Sequence, residues 1–332
     1  MRRARFFLFL VLPPLFLLLA VLGLFSYEIS RPGPHDGDHR ILIERGIGLG
    51  RIAHQLQSEG VVRHGFALRL AGRILGADRA LRAGEYEIPA HASILQILEN
   101  LQYGAPLLRR LTLPEGLTSR QIVTLLEKAD GLMGEIVEMP PEGSLLPETY
   151  YYSYGDARSD LVQRMQKAQT ALLDRLWPER AAELPFDSRS EAVTLASIIE
   201  KETAFASERP LIASVFINRL RKGMRLQSDP TVIYGVNEGL PLGRPILRSE
   251  LRQETPFNTY AIRGLPPHPI ANPGELSIRA ALNPAASDYF YFVADGSGGH
   301  AFARSLREHN DNVARWRRLQ KESAISEESD VK

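Results

Sequence analysis

No cysteine occurs among the 332 residues. Disulfides, thiol nucleophiles and thiolate metal sites are thereby excluded, and the redox compartment is left undetermined. An excess of one charge is lacking too: 40 Lys and Arg stand against 39 Asp and Glu, a net charge of +1. With no basic field and no basic patch interleaved with aromatics, nothing argues for nucleic acid. The eight histidines show no metal-ligand spacing such as H-E-x-x-H, so neither a metal nor a cofactor is expected.

One long apolar run stands at the start. Arg2, Arg3 and Arg5 precede an uncharged stretch from Phe6 to Phe25, about 20 residues, the length that crosses a bilayer. Pro13 and Pro14 are tolerable in such a helix. A cleaved signal peptide is the competing reading. It calls for a shorter apolar core and a small-residue A-x-A site, which Phe25-Ser-Tyr-Glu28 does not offer. The arginines place residues 1–5 in the cytoplasm, a transmembrane helix at 6–25 and the remainder outside. In a bacterium that is a single-pass inner-membrane protein with the remainder in the periplasm or on the outer face of the plasma membrane.

Residues 26–39 read as a linker rich in Pro, Gly, Asp and His. A strand follows at 40–44, then helices at 51–58 and 66–75 ended by Gly60 and Gly76, and a second strand at 84–88. Ser93-Ile-Leu-Gln96 has the form of a capping box opening a helix to Tyr103. The β-α-α-β order over 40–105 resembles a LysM-like module, which implies contact with N-acetylglucosamine-containing glycan; a spacer domain is the alternative. Residues 106–186 form an intermediate α+β segment with a second cap at Thr118-Ser-Arg-Gln121 and a helix at 161–176. Its tyrosine cluster, Leu145-Leu-Pro-Glu-Thr-Tyr-Tyr-Tyr152, suits sugar rings or a core equally well.

The catalytic domain is expected at 187–320, ahead of a disordered tail at 321–332. A capping box at Ser188-Arg-Ser-Glu191 opens a helix that Ala192, Val193, Leu195, Ala196, Ile198 and Ile199 make apolar almost all round. A carboxylate at the end of a buried helix costs free energy unless it is paired or protonated. Glu200 and Glu202 both stand there. Two residues apart, they point to nearly opposite faces, so at most one meets a cleft wall. The plain alternative is a helix end whose glutamates are solvated or salt-bridged. Downstream, Pro210 suits the first turn of a helix to Arg221 stopped by Gly223. Three stiff polar loops follow: 225–235, with Gln227, Asp229, Thr231 and Tyr234; 256–260, with Asn258 and Tyr260; and 264–274, rich in proline and containing Asn272. Such loops near a helix-end carboxylate suit a sugar-binding cleft, or are proline-stabilised surface turns.

Taken together, Ala196-Ser-Ile-Ile-Glu-Lys-Glu-Thr203, Ser214-Val-Phe-Ile-Asn-Arg-Leu220, Met224-Arg-Leu-Gln-Ser-Asp-Pro-Thr-Val-Ile-Tyr-Gly235, Asn258-Thr-Tyr260 and Leu265-Pro-Pro-His-Pro-Ile-Ala-Asn-Pro-Gly274 resemble the endolytic murein transglycosylase family, the YceG-like lytic transglycosylases. The likeness runs from the apolar start to Asn310. It implies an α+β fold with a LysM-like subdomain before the catalytic one, and it puts the catalytic glutamate on Glu200. It also implies Gln227, Asp229, Thr231, Tyr234, Asn258, Tyr260 and Asn272 as residues that bind sugar and orient that glutamate. The substrate implied is the glycan strand of nascent peptidoglycan, and the partners implied are synthesis enzymes such as penicillin-binding proteins.

A glycoside hydrolase ordinarily needs two carboxylates. A lytic transglycosylase needs one, because the muramoyl C6 hydroxyl serves as nucleophile and closes a 1,6-anhydro ring. Two rivals stay open: a peptidoglycan hydrolase in which Asp229 activates water, and a membrane-anchored scaffold that binds glycan without cutting it.

Overall fold

A computed structural model describes residues 2–77 and 81–330, with side chains from 12 to 322 over the same stretches. The chain divides into two units. The first comprises residues 1–110, 130–133 and 151–157, and the second comprises 111–129, 134–150 and 158–332.

The first unit opens with α1 (Arg2–Ser30), whose stretch Leu12–Ser30 is long and apolar enough to cross a membrane. Strand β1 (His39–Ile43) and helices α2 (Leu49–Ser58) and α3 (Gly65–Ile74) follow, then β2 (Gly84–Ile88) and α4 (Ile94–Tyr103). This is the β-α-α-β order read from the sequence. β1 and β2 pair antiparallel with Ile41 opposite Tyr86, so alternate residues Ile41, Ile43, Tyr86 and Ile88 face one side and are buried. They close over Ile52 and Leu56 of α2, Leu68 of α3 and Ile97, Leu98 and Leu101 of α4. Each such side chain contributes about 1.5–3 kcal/mol by leaving water. Gly72 lets α3 sit tight on its neighbours: a Cβ there would lie 2.5 Å from a Leu49 methyl.

The stretch expected as a linker is tied down. Gly33 N–H donates to His91 O at 2.9 Å, Arg63 donates to Pro32 O at 2.7 Å, and Ala90 N–H donates to Asp38 at 3.0 Å. The His35 ring spans the Val61 and Pro89 carbonyls at 3.1 and 2.7 Å. Composition signalled a linker here, but two prolines and short polar side chains also suit a strap bonded to a neighbouring surface.

Strands β3 (Leu108–Thr112) and β4 (Thr149–Ser153) form a two-stranded sheet. The tyrosines of β4 take the core alternative in part. Tyr152 is buried with its hydroxyl on Asp130 O at 2.8 Å, and Tyr150 bonds Leu146 O at 2.7 Å.

The second unit holds α5 (Ser119–Lys128), α6 (Arg158–Leu176), α7 (Arg189–Glu202), α8 (Arg209–Arg221), α9 (Asp229–Asn237), α10 (Arg248–Arg252) and α11 (Glu275–Leu282). A hairpin of β5 (Tyr291–Ala294) and β6 (His300–Ala303) and the long α12 (Leu306–Asp330) complete it. α7 is its axis. Ser188 caps it, with Glu191 closing the capping box, and every residue from Ala192 to Ile199 is buried. Leu195, Ile198 and Ile199 pack with Ile212, Phe216 and Ile217 of α8 and with Ile278, Ala281 and Leu282 of α11. Phe216 meets Phe292 of the hairpin edge-on, with ring centroids 5.7 Å apart.

Two expectations are corrected. The polar stretch 225–235 is a loop only as far as Ser228; α9 begins at Asp229 with Pro230 in its first turn, where proline's missing N–H costs nothing. The tail from 321 continues α12 to Asp330, since Lys321, Glu322 and Ala324 are good helix formers.

Candidate active site at the end of the buried helix

The last turn of α7 delivers two glutamates to different surroundings. Glu202 lines an open hollow of about 450 Å³ with Gln227, Asp229, Tyr260, Tyr291 and His309. The Ser228 hydroxyl donates to its Oε1. Burial pushes the Glu202 carboxyl up to about 7 and the Asp229 charge adds to the rise, against the pull of the Ser228 bond. The exit of the helix is fixed by its C-cap: Thr203 donates to Glu208 Oε2 at 3.1 Å, the His300 ring meets the same oxygen at 2.8 Å, and Glu208 Oε1 accepts the His300 backbone N–H at 2.8 Å.

The hollow's second carboxylate is Asp229, at the N-terminus of α9. Its Oδ1 accepts the Tyr260 phenol at 2.6 Å, and burial holds that phenol well above its ordinary pKa. Gln227 sits beside it in the left-handed region at φ +52, which costs a non-glycine residue about 1–2 kcal/mol. Its N–H bonds Thr259 O at 3.1 Å, so the loop is pinned where its side chain faces the hollow. The floor rests on Arg219, whose guanidinium donates to Phe290 O and Leu226 O, both at 2.6 Å, and lies 5.2 Å from the Tyr291 ring. His309 stacks on Tyr291 with centroids 5.3 Å apart; burial and the Arg219 charge lower its pKa.

Glu200 faces the other way. Its side chain is 4% exposed; Oε1 accepts Arg209 Nη2 at 2.9 Å and Oε2 accepts the Gly274 N–H at 2.9 Å. The same Arg209 nitrogen reaches Glu115 at 3.0 Å. Burial raises the Glu200 pKa while the Gly274 N–H and Arg209 pull it down. A Cβ at 274 would fall 1.8 Å from a Glu115 oxygen, so a side chain there would displace Glu115 from this triad. Glu200 therefore joins α7 to α8 and to the start of α11, and it does not line the hollow.

The other sequence-nominated residues divide in the same way. Gln227, Asp229 and Tyr260 come together at the hollow. Thr231 is fully buried behind it, bonding Ser228 O at 2.6 Å and Thr259 at 2.8 Å. Asn258 is buried and spends its amide on the carbonyls of Glu250, Leu251 and Gln253. Asn272 is buried too, bonding Leu145 N, Leu117 O and Ser119. Tyr234 lies on a separate hollow with Phe257 and His268, its ring 4.9 Å from that of Phe257. Among the described residues no group of three or more His, Asp or Glu is placed to hold a metal ion.

The model of the YceG-like family matches residues 41–315. The chain belongs to that family. It is similar to the endolytic murein transglycosylase of Bacillus subtilis, 30% identical over 88% of this chain and 89% of the relative. It is 28% identical to the endolytic murein transglycosylase of Streptococcus pneumoniae over 90% of this chain, which spans 63% of that longer protein. A crystal structure of a yceG-like protein from Listeria monocytogenes is alike at a TM-score of 0.52 and 29% identity, covering 83% of this chain and 99% of that one. The YceG-like sequence motifs thus coincide with both faces of α7. Sequence reading did not nominate Ser228, Arg219, Tyr291 or His309 as site residues. The first was legible as a hydroxyl preceding Asp229; Arg219 comes from α8, and Tyr291 and His309 are brought in by the hairpin and α12, whose approach no local pattern reports.

Proposed function

We propose that this chain is an endolytic murein transglycosylase whose acid–base residue is Glu202. The observation that carries the reading is a carboxyl lining an open hollow with its pKa pushed up to about 7, bonded to a hydroxyl rather than to a cation. This moves the role from Glu200, where the resemblance put it, by two residues. Protonated Glu202 donates to the glycosidic oxygen between N-acetylmuramic acid and N-acetylglucosamine as the C1–O bond breaks. The resulting carboxylate takes the proton of the muramoyl C6 hydroxyl as that oxygen bonds C1, so no water is consumed and the new end is a 1,6-anhydro ring. Gln227, Asp229 and Tyr260 hold the sugars, and Thr231, Asn258 and Asn272 hold the walls. Neither cofactor nor metal enters this scheme. Under the same proposal α1 is an uncleaved single-pass anchor in the inner membrane with a cytoplasmic N-terminus. The catalytic unit is then periplasmic, meeting strands as penicillin-binding proteins make them, and the β-α-α-β unit is a LysM-like glycan reader.

Asp229 on the same hollow favours one second reading, a two-carboxylate hydrolase. Mass spectrometry of products from uncrosslinked glycan strands separates the two. The proposal expects 1,6-anhydromuramic ends; reducing ends carrying an added water hand the site to the hydrolase, and uncut strands leave a binding scaffold.

A further inference from the structure

α3 is two-faced in an unusual sense. Its inner face is small and buried, with Ala67, Leu68, Ala71 and Gly72. Its outer face carries an apolar row at i, i+4 and i+8, Phe66, Leu70 and Ile74, in which Phe66 and Ile74 are 66% and 67% exposed. Arg69 and Arg73 flank the row, with the Arg69 guanidinium 5.8 Å from the Phe66 ring. Among the described residues neither arginine is ion-paired. An exposed apolar row between cations is the pattern of helices that lie in a lipid interface.

The same unit is clamped to the candidate anchor. Phe25, the last residue of the apolar run, and Ile29 pack on the unit's core, and α1 touches both α3 and α4. Glu28, ion-paired to Arg31, marks where the helix meets water. At about 1.5 Å per residue, Phe25 lies only about 4–5 Å below that point. α3 and α4 therefore touch the anchor at the depth where it leaves the hydrocarbon. The strap from Pro32 to Asp38 is hydrogen-bonded to the unit, so the unit does not swing away from the helix end. Tyr103, at the end of α4, is 79% exposed, and tyrosine favours the headgroup level.

We propose that the β-α-α-β unit lies against the bilayer, with the Phe66–Leu70–Ile74 row set into the headgroup layer and Arg69 and Arg73 on anionic lipid phosphates. This rests on the reading of α1 as a membrane span. The unit then fixes the height at which the chain leaves the membrane, in place of a free tether.

Absence of native cysteine makes a direct test clean. The full chain, carrying Leu18→Cys, Ile74→Cys or Glu87→Cys with a nitroxide label, is reconstituted into phosphatidylethanolamine–phosphatidylglycerol vesicles. Power saturation then compares access to oxygen with access to a water-soluble nickel chelate. Leu18 reports the anchor, Glu87 an exposed position on β2, and Ile74 the proposal. The expected result is several-fold lower chelate access at Ile74 than at Glu87, lost when Arg69→Glu and Arg73→Glu are added. Leu18 in lipid with Ile74 as open to chelate as Glu87 overturns the proposal and leaves the anchor standing. Leu18 open to chelate removes the anchor and the proposal with it.

Discussion

Glu200 and Glu202 leave the same helical turn and meet opposite conditions. Burial raises the pKa of both. Glu200 then has both oxygens engaged by fixed donors, one of them a guanidinium, and faces packed helices. Glu202 has the Ser228 hydroxyl as its partner and lines the open hollow of about 450 Å³. Desolvation alone therefore does not mark an acid; the nature of the partner and the opening beside it decide whether a proton is available for transfer.

The sharpest way to break this contrast is to neutralise each glutamate in turn. Glu202→Gln keeps shape and loses the proton, so release of new muramic ends from purified strands falls on the order of a hundred- to ten-thousand-fold with circular dichroism unchanged. Glu200→Gln keeps activity within a few-fold. An inactive Glu200→Gln beside an active Glu202→Gln would falsify the assignment.

The structural side of the contrast is tested through Arg209, which is 7% exposed in its side chain. Arg209→Ala strands a buried carboxylate, and urea unfolding should show a loss of about 3–5 kcal/mol. Glu200→Gln should cost less, about 1–2 kcal/mol, because Arg209 retains Glu115. An Arg209→Ala protein as stable as the parent means that the Glu200–Arg209 pair does not hold α7 to α8.

The helix carrying both residues was legible to its first residue, since the S-x-x-E box at Ser188 and the all-round apolar run are local signals. So were β2, α4 and the β-α-α-β order. The choice between Glu200 and Glu202 was not. Helical periodicity says that two residues at i and i+2 diverge, but which face is cleft depends on Arg209, Gly274 and Glu115, distant along the chain and brought in by packing. Polar loops misled for a related reason: Asn258, Asn272 and Thr231 have the same composition as sugar ligands, yet their hydrogen bonds close within the protein, on backbone and on buried side chains. A buried polar residue that knits loops reads in sequence like one that binds substrate.

Acidity gives a subtler test. The Glu202 carboxyl keeps its proton to about 7 when folded and to about 4.3 when unfolded. The folded state thus binds the proton more tightly. That contribution is complete below the unfolded value and is lost as pH rises through about 7. Relative to Glu202→Gln, the parent should lose on the order of 3–4 kcal/mol of unfolding free energy across this window. A pH-independent difference would mean that the side chain is solvated. Activity should decline on the same alkaline limb, as the donor form disappears.

The smallest effects move that limb in opposite directions. Ser228 donates to the carboxylate form of Glu202, so Ser228→Ala removes a bond that favours ionisation and shifts the limb to higher pH. Asp229 raises the Glu202 pKa through its charge, so Asp229→Asn shifts the limb to lower pH and also reduces rate through weaker sugar positioning. Each displacement should be about half a unit to one unit, within the ordinary range for a single neighbour. Loss of positioning alone scales the whole profile without moving it, so the direction of the shift separates electrostatic coupling from structural damage. Kinetics of strand cleavage across the pH range, for both variants beside the parent, carry the comparison. Two variants shifting the same way, or neither shifting, would detach Ser228 and Asp229 from the acid and return Glu202 to the status of a helix-end glutamate.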